Sequence, residues 1–193
     1  VEARLRSLFG LSEPVAARKC ELRKVSRSEA AAFFREVHTQ GPGSNPEAAY
    51  GLFYEGALAA CMSFGKNRFK GEGWELLRYA SKARVQGGFS RLFKAFTSEH
   101  NPERITSYCD LRWGDGNVYR AAGFELDGVT NPDYWYTLRD RRILRYAARH
   151  RPKDQTEREW AAEHGYEKVL GVGHQRWVWR SQQPASQAAD PVI

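Results

Sequence analysis

The chain has 193 residues, 41% of them hydrophobic, which is enough for one domain with a sizeable core and too few for two full-sized ones. Its 30 Lys and Arg against 23 Asp and Glu leave a formal net charge of +7, a balance that favours a polyanionic partner because neutralised phosphates release their counterions. No run approaches the ~20 apolar residues that span a bilayer, and no apolar segment follows a basic start. Cys20, Cys61 and Cys109 stand too far apart for a metal ribbon or a redox pair. The expectation is a cytoplasmic, membrane-free protein with reduced thiols and no metal. Its opening at Val1 is consistent with a domain cut from a longer polypeptide.

Residues 1–13 carry Leu5, Leu8 and Phe9 at helical spacing before Gly10, predicting a short lead-in helix. A core domain is expected over 14–138. There Ala17 to Val25 reads as a strand, and Ser26 and Ser28 are candidate caps for a helix through Ala30, Phe33, Phe34 and Val37. Ala49 to Tyr54 and Leu58 to Phe64 form a hairpin around Glu55-Gly56. Trp74 to Tyr79 is a strand, and Gly87-Gly88 opens a helix bearing Phe89, Leu92, Phe93 and Phe96 on one face. A strand over Arg104 to Asp110, a helix over Gly116 to Ala122 and one or two strands over Phe124 to Leu138 complete the domain. This order predicts an α/β fold with a mixed central sheet flanked by helices.

An extension is expected over 139–180. Arg139, Arg141, Arg142, Arg145, Arg149, Arg151 and Lys153 alternate with Ile143, Leu144 and Tyr146, predicting a basic helix suited to a phosphate backbone. A capping box at Thr156 to Glu159 opens a helix ended by Gly165, and Tyr166 to Gly171 with Arg176 to Arg180 reads as a hairpin. The composition of 181–193 predicts a disordered tail.

A glycine-rich turn between a strand and a helix presents backbone N–H groups and a positive dipole end to an anion. Arg84-Val85-Gln86-Gly87-Gly88-Phe89 resembles the pyrophosphate loop of the GNAT acetyltransferases, and Asn117 to Phe124, with Tyr119 inside and Gly-Phe at its end, resembles their second hallmark. Phe89 stands where that loop has Gly or Ala, and its bulk is expected to obstruct coenzyme A. Over most of the chain, Ala17 to Cys20, His38 with Gln40-Gly41, Ser63 to Gly65, Trp74 to Arg78, Tyr108 with Asp110, Arg112 and Trp113, Pro132 to Tyr136 and Trp177 to Trp179 resemble a GNAT-like phage domain. That domain occurs behind nuclease domains in Hef-like homing endonucleases and in DNA-hypermodification clusters. Gly171-Val172-Gly173 departs from its Asp-Cys-Gly turn.

The resemblance implies a transferase that modifies bases in phage DNA, with acyl-CoA or a free amino acid as donor, DNA as partner and a nuclease domain upstream. Two alternatives stand beside it: a non-catalytic DNA-binding module, and a CoA-dependent N-acetyltransferase acting on a small molecule or protein. Within the chain, no Asp/Glu-x-Lys or His-Asn-His constellation suggests a nuclease site.

Acyl transfer needs a base, an acid for the leaving group and donors for developing charge. The candidates are His38 or Glu75 as base, Tyr119 as acid by its motif position, and Tyr108, Asp110, Arg112 and Asn117 near one strand end. Strict alternation puts Glu75 and Arg78 on opposite faces. Arg84, Gln86, Gly87 and Gly88 are the donor-binding candidates. Arg18, Lys19, Arg68, Trp113, Tyr134, Trp135, Arg141, Arg142, Arg145 and Arg149 are the nucleic-acid candidates, the aromatics as stacking platforms. Each has a structural alternative: His38 as a loop tether, Glu75 or Asp110 in an ion pair, Tyr119 and the other aromatics as core.

Overall fold

The structure is a computed structural model that describes residues 5–6, 9–11, 14–43, 45–67, 73–82 and 84–181. The expected lead-in helix over 1–13, the tail beyond 181 and Arg68 fall largely or wholly outside these residues.

The elements in chain order begin with β1 (Pro14–Ala16), a 3-10 turn (Ala17–Lys19), β2 (Glu21–Lys24), α1 (Arg27–Val37), β3 (Ala48–Tyr54), β4 (Ala57–Lys66) and β5 (Trp74–Ser81). They continue with β6 (Arg84–Gln86), α2 (Gly88–His100), β7 (Arg104–Asp110), α3 (Asn117–Ala121) and β8 (Glu125–Val129). The last are β9 (Tyr134–Leu138), β10 (Arg141–Leu144), a 3-10 helix (Arg145–His150), α4 (Glu157–Glu163), β11 (Glu167–Leu170) and β12 (His174–Arg180).

The chain forms two compact units, one of Val1–Tyr108, Asn117–Leu126 and Trp177–Ile193, the other of Cys109–Gly116 and Asp127–Arg176. The first is built on a mixed sheet in the order β2-β3-β4-β5-β7-β12-β8. The β2 to β5 strands run antiparallel, and β5 meets β7 in parallel. The run from Ala59 to Phe64 in β4 is buried without interruption, as befits a strand covered on both faces. Ser26 caps α1 by accepting the Glu29 N–H, and Ala30, Phe33, Phe34 and Val37 bury one stripe against Ala49, Phe53 and Cys61. On α2, Phe89, Leu92, Phe93 and Phe96 are buried, with Phe96 stacked on Phe64 at 3.6 Å. Since Ala49 meets α1 while Tyr50 meets Phe96 of α2, the two helices cover opposite faces of the sheet.

The second unit contains the antiparallel sheet β10-β9-β11, packed through Tyr136 against Ala148, Trp160 and Ala161. Here the arginine-rich segment departs from the expected single helix. Arg139, at φ +55°, and Asp140 turn the chain back tightly, so that Arg141–Leu144 pairs with β9 before Arg145–His150 winds as a 3-10 helix. Pairing on the open edge of β9 seats Ile143 opposite Tyr136, and this tertiary gain overrides helix propensity. The expected hairpin of Tyr166–Gly171 with Arg176–Arg180 is also replaced: β11 pairs with β9, and β12 lies between β7 and β8. Among the described residues, no helix is long and apolar enough to cross a membrane.

Candidate active site

The geometry of the first unit turns on β5. It pairs with β7 only through Trp74↔Ile105, Glu75↔Thr106 and Leu76↔Ser107, and beyond that step the two parallel strands part. On its other edge the register with β4 shifts, Phe64 facing Leu76 and Ser63 facing Arg78, so Leu77 is an extra residue. The bulge reverses the expected alternation. Leu77 and Arg78 both meet the loop after α1, since a methyl group at Gly43 would lie 3.2 Å from Leu77 Cβ and 3.4 Å from Arg78 Cγ. Glu75 lies directly opposite Gly65, whose Cβ direction also meets Leu77, at 3.0 Å. Glu75 and Arg78 therefore share a face, contrary to the prediction from alternation, and the bulge is the reason.

Glu75 is 1% exposed, and Thr106 across from it carries a buried hydroxyl with no hydrogen-bond partner among the described residues. Arg78 is anchored by donating from Nε to the Gly41 carbonyl at 3.1 Å and from Nη1 to the Leu77 carbonyl at 2.7 Å. His38 follows α1 as its C-cap, and burial, reinforced by the nearby Arg78 charge, lowers its pKa to about 4. Its Nδ1 accepts the Gln40 N–H at 3.1 Å, so the neutral ring offers a donor rather than a base at Nε2. Tyr108 alternates with Thr106 on the same face of β7.

The donor-binding candidates adjoin this point. Arg84, Val85 and Gln86 pair with Pro14, Val15 and Ala16, and Gly87, at φ +74°, turns the chain into α2. That dihedral is strained for any residue with a Cβ. A methyl group at Gly88 would meet Val85 Cγ1 at 3.0 Å and the Tyr79 hydroxyl at 3.1 Å. Phe89 does not obstruct the turn. It is 5% exposed, with its ring against Tyr79, Phe93 and Tyr119, so its bulk fills core and the expected block to coenzyme A is absent. Arg18 and Lys19 are exposed on the 3-10 turn, which Arg91 holds by donating to the carbonyls of Ala17 and Cys20.

Tyr119 is buried among Phe89, Phe124 and Trp177, as a core tyrosine would be, yet its hydroxyl lies 3.1 Å from Ser107 Oγ. Ser107 Oγ also lies 3.1 Å from the carbonyl oxygen of Leu76. Ser107 Oγ is the donor in both contacts, so its single proton serves one of the two oxygens at a time. Asn117, earlier in the same helix, holds Arg120 through its Oδ1.

The remaining predicted residues belong to the second unit. Asp110 accepts both the Nε (3.0 Å) and Nη2 (2.5 Å) donors of Arg112, with His174 Nε2 3.8 Å away. Despite partial burial, the Arg112 bonds hold the Asp110 carboxyl below its ordinary range. Arg112 and Arg142 both lie over the Trp135 ring, at 4.5 and 4.4 Å. Arg145 pairs with Asp133 at 3.0 Å beside Tyr134, whose hydroxyl donates to Glu157 at 2.6 Å, as that of Tyr136 does at 2.8 Å. These cations and aromatics engage one another, while Arg141 and Arg149 are exposed and Trp113 is half-buried. Among the described residues, no group of His, Cys, Asp and Glu could hold a metal.

Arg78, Ser107 and Thr106 are site residues that sequence reasoning did not select. Arg78 belongs to the Trp74 to Arg78 motif, but the bulge that turns it toward Glu75 leaves no mark in the hydrophobic pattern.

No family model matches the chain, and no curated protein matches it. Among solved structures, it is similar to the ribosomal-protein-S18-alanine N-acetyltransferase of Escherichia coli, at 10% identity and a TM-score of 0.54, over 88% of this chain and 98% of that one. An "IAA acetyltransferase" from Bacillus cereus (11% identity, TM-score 0.49) aligns over 84% of this chain and 99% of that one. A Bacillus subtilis acetyltransferase in complex with CoA (14% identity, TM-score 0.48) aligns over the same shares. The fold is the mixed α/β fold of the GNAT acetyltransferases.

Proposed function

We propose that the chain is an acyl-CoA-dependent N-acyltransferase whose acceptor is a primary amine. The observation that carries this reading is the parting of the parallel strands β5 and β7 after Leu76↔Ser107, with the Arg84 to Gly88 turn at the mouth and Glu75 at the base. A thioester laid in that opening would have its phosphates near the N–H groups of the first turn of α2, which have no acceptor within the helix. The fit of the loop supports this, since Phe89 is turned into the core and Gly88 sits closely against Val85 and Tyr79. The donor, when bound, supplies an acyl group activated as a thioester.

Glu75 is the base in this reading, because the Gln40 bond leaves His38 a donor at Nε2. Tyr119 is the acid for the leaving sulfur. Arg78, held by two backbone carbonyls, and His38 fix the polar wall on the same side as Glu75.

The DNA-modifying reading rests on the phage-domain resemblance and on basic charge. Within the arginine-rich segment, Arg142, Arg145 and Arg151 are committed to Trp135, Asp133 and the carbonyls of Ala148 and Gln155. Incubating the protein with acetyl-CoA and parallel pools of small amines, peptides with free amino termini and DNA tests both readings by mass spectrometry. Acetylation of an amine or peptide supports the proposal. A mass gain confined to DNA nucleosides would replace it with the DNA-modifying reading.

A further inference from the structure

At the opposite end of β5 and β7 from the strand opening lies a cleft of about 510 Å³, lined by Gly73, Trp74, His100, Glu103 and Arg104 among others. Its size is that of a small-molecule site. Trp74 opens β5 and Arg104 opens β7. Gly73 approaches the second strand so closely that a methyl group on it would meet the Arg104 carbonyl oxygen at 2.6 Å, and its φ of +106° is one that glycine alone adopts readily. His100 is fixed in turn, stacked on Phe96 at 4.6 Å and tilted against Trp74 at 5.0 Å, with Nε2 3.0 Å from the Tyr50 hydroxyl. Arg104 differs from these neighbours. Its half-buried guanidinium makes no hydrogen bond or ion pair with any of the described residues, and its Nε is sealed from solvent without an acceptor. Glu99, the acid at the end of α2, is committed to Lys24. A cation partly withdrawn from water with no anion beside it carries an unmet desolvation cost, and such groups in native proteins ordinarily have a partner.

We infer that this cleft is a second ligand site, built for a small carboxylate that carries an aromatic group. The carboxylate accepts from the Nη donors of Arg104, whose planar fork matches its two oxygens. The aromatic group lies against the half-buried indole of Trp74. Glu103, exposed on the same cleft, repels a second negative charge, so a monoanion is favoured over phosphate. The inference is independent of the acyl-transfer reading, because none of these residues belongs to the strand opening or to the Arg84 to Gly88 turn.

Calorimetric titration of the folded protein with sodium benzoate, sodium acetate and inorganic phosphate, in the absence of acetyl-CoA, tests the site. Benzoate is expected to bind saturably, acetate more weakly because it lacks the ring, and phosphate more weakly than benzoate. Arg104→Met keeps the apolar stem and removes the charge. It should weaken benzoate binding roughly tenfold or more, the span for losing a hydrogen bond to a charged group. The thermal midpoint of the unliganded variant should equal or exceed that of wild type, because the guanidinium gives up no protein partner. A structural arginine would instead lower the midpoint. A second readout needs no variant: the Trp74 indole N–H resonance of the wild type should shift as benzoate is added. Absence of saturable benzoate binding, undiminished binding in Arg104→Met, a lowered midpoint in that variant or an unmoved Trp74 resonance overturns the site. Phosphate binding more tightly than benzoate overturns the carboxylate assignment. Acetyl-CoA binding, titrated separately, leaves each of these outcomes unaltered.

Discussion

Gln40 donates its backbone N–H to Nδ1 of His38 at 3.1 Å, which fixes the neutral imidazole with its proton on Nε2. Burial, aided by Arg78, lowers the pKa from 6.5 to about 4. The folded value lies below the unfolded one, so between these limits the unfolded chain takes up a proton that the folded protein refuses. The stability associated with neutral His38 is full above pH ~6.5 and is lost as pH falls toward 4, by about 3 kcal/mol at the lower limit. His38→Gln should flatten this dependence, as urea unfolding across that pH range would reveal. An unchanged slope would mean that His38 is not held neutral.

Glu75→Gln preserves volume and hydrogen-bonding capacity but removes the basic oxygen. The acyl-transfer rate should fall by ~10²–10⁴, the usual worth of a positioned base, while affinity for acetyl-CoA stays the same. Stopped-time product assays paired with calorimetry separate the two effects. A rate within a few-fold of wild type would remove Glu75 from the chemistry.

A methyl group at Gly88 meets Val85 at 3.0 Å and Tyr79 at 3.1 Å, so Gly88→Ala requires these side chains to give by a few tenths of an ångström. The expected cost is ~1–3 kcal/mol of stability, typical of overpacking, accompanied by weaker acetyl-CoA binding. Denaturant unfolding and a binding titration measure the pair. Stability lost without any change in binding would detach the turn from the donor.

Tyr134 and Tyr136 both donate to one oxygen of Glu157, at 2.6 and 2.8 Å, and their bonds draw that carboxyl below its ordinary range. Glu157→Ala should cost about 2 kcal/mol by leaving both phenols without this acceptor. Intrinsic fluorescence of Trp160, packed on Tyr136, reports the unfolding of the second unit.

Much of the first unit was legible in the sequence. The i, i+3, i+4, i+7 stripe of α1, the Glu55-Gly56 hairpin and the strand–glycine–helix passage at Gly87 are set by local pattern and turn chemistry. What local pattern could not supply is non-local. The Leu77 bulge arises from register against β4 and leaves the alternation of Trp74 to Tyr79 unmarked. The destination of Phe89 depends on Tyr79, Phe93 and Tyr119 making room for it. Likewise, the arginine-rich segment carries a helical spacing of charges, but the open edge of β9 decides its conformation. The candidate site was accordingly half visible: Glu75, Tyr119 and the glycine turn by residue type and motif, Arg78 and Ser107 only once the strands were paired.

The most direct test of the account is a calorimetric titration of the folded wild-type protein with acetyl-CoA. Saturable one-to-one binding is expected, weakened in Gly88→Ala and persisting in Glu75→Gln. Absence of saturable binding by protein shown to be folded by circular dichroism would contradict it.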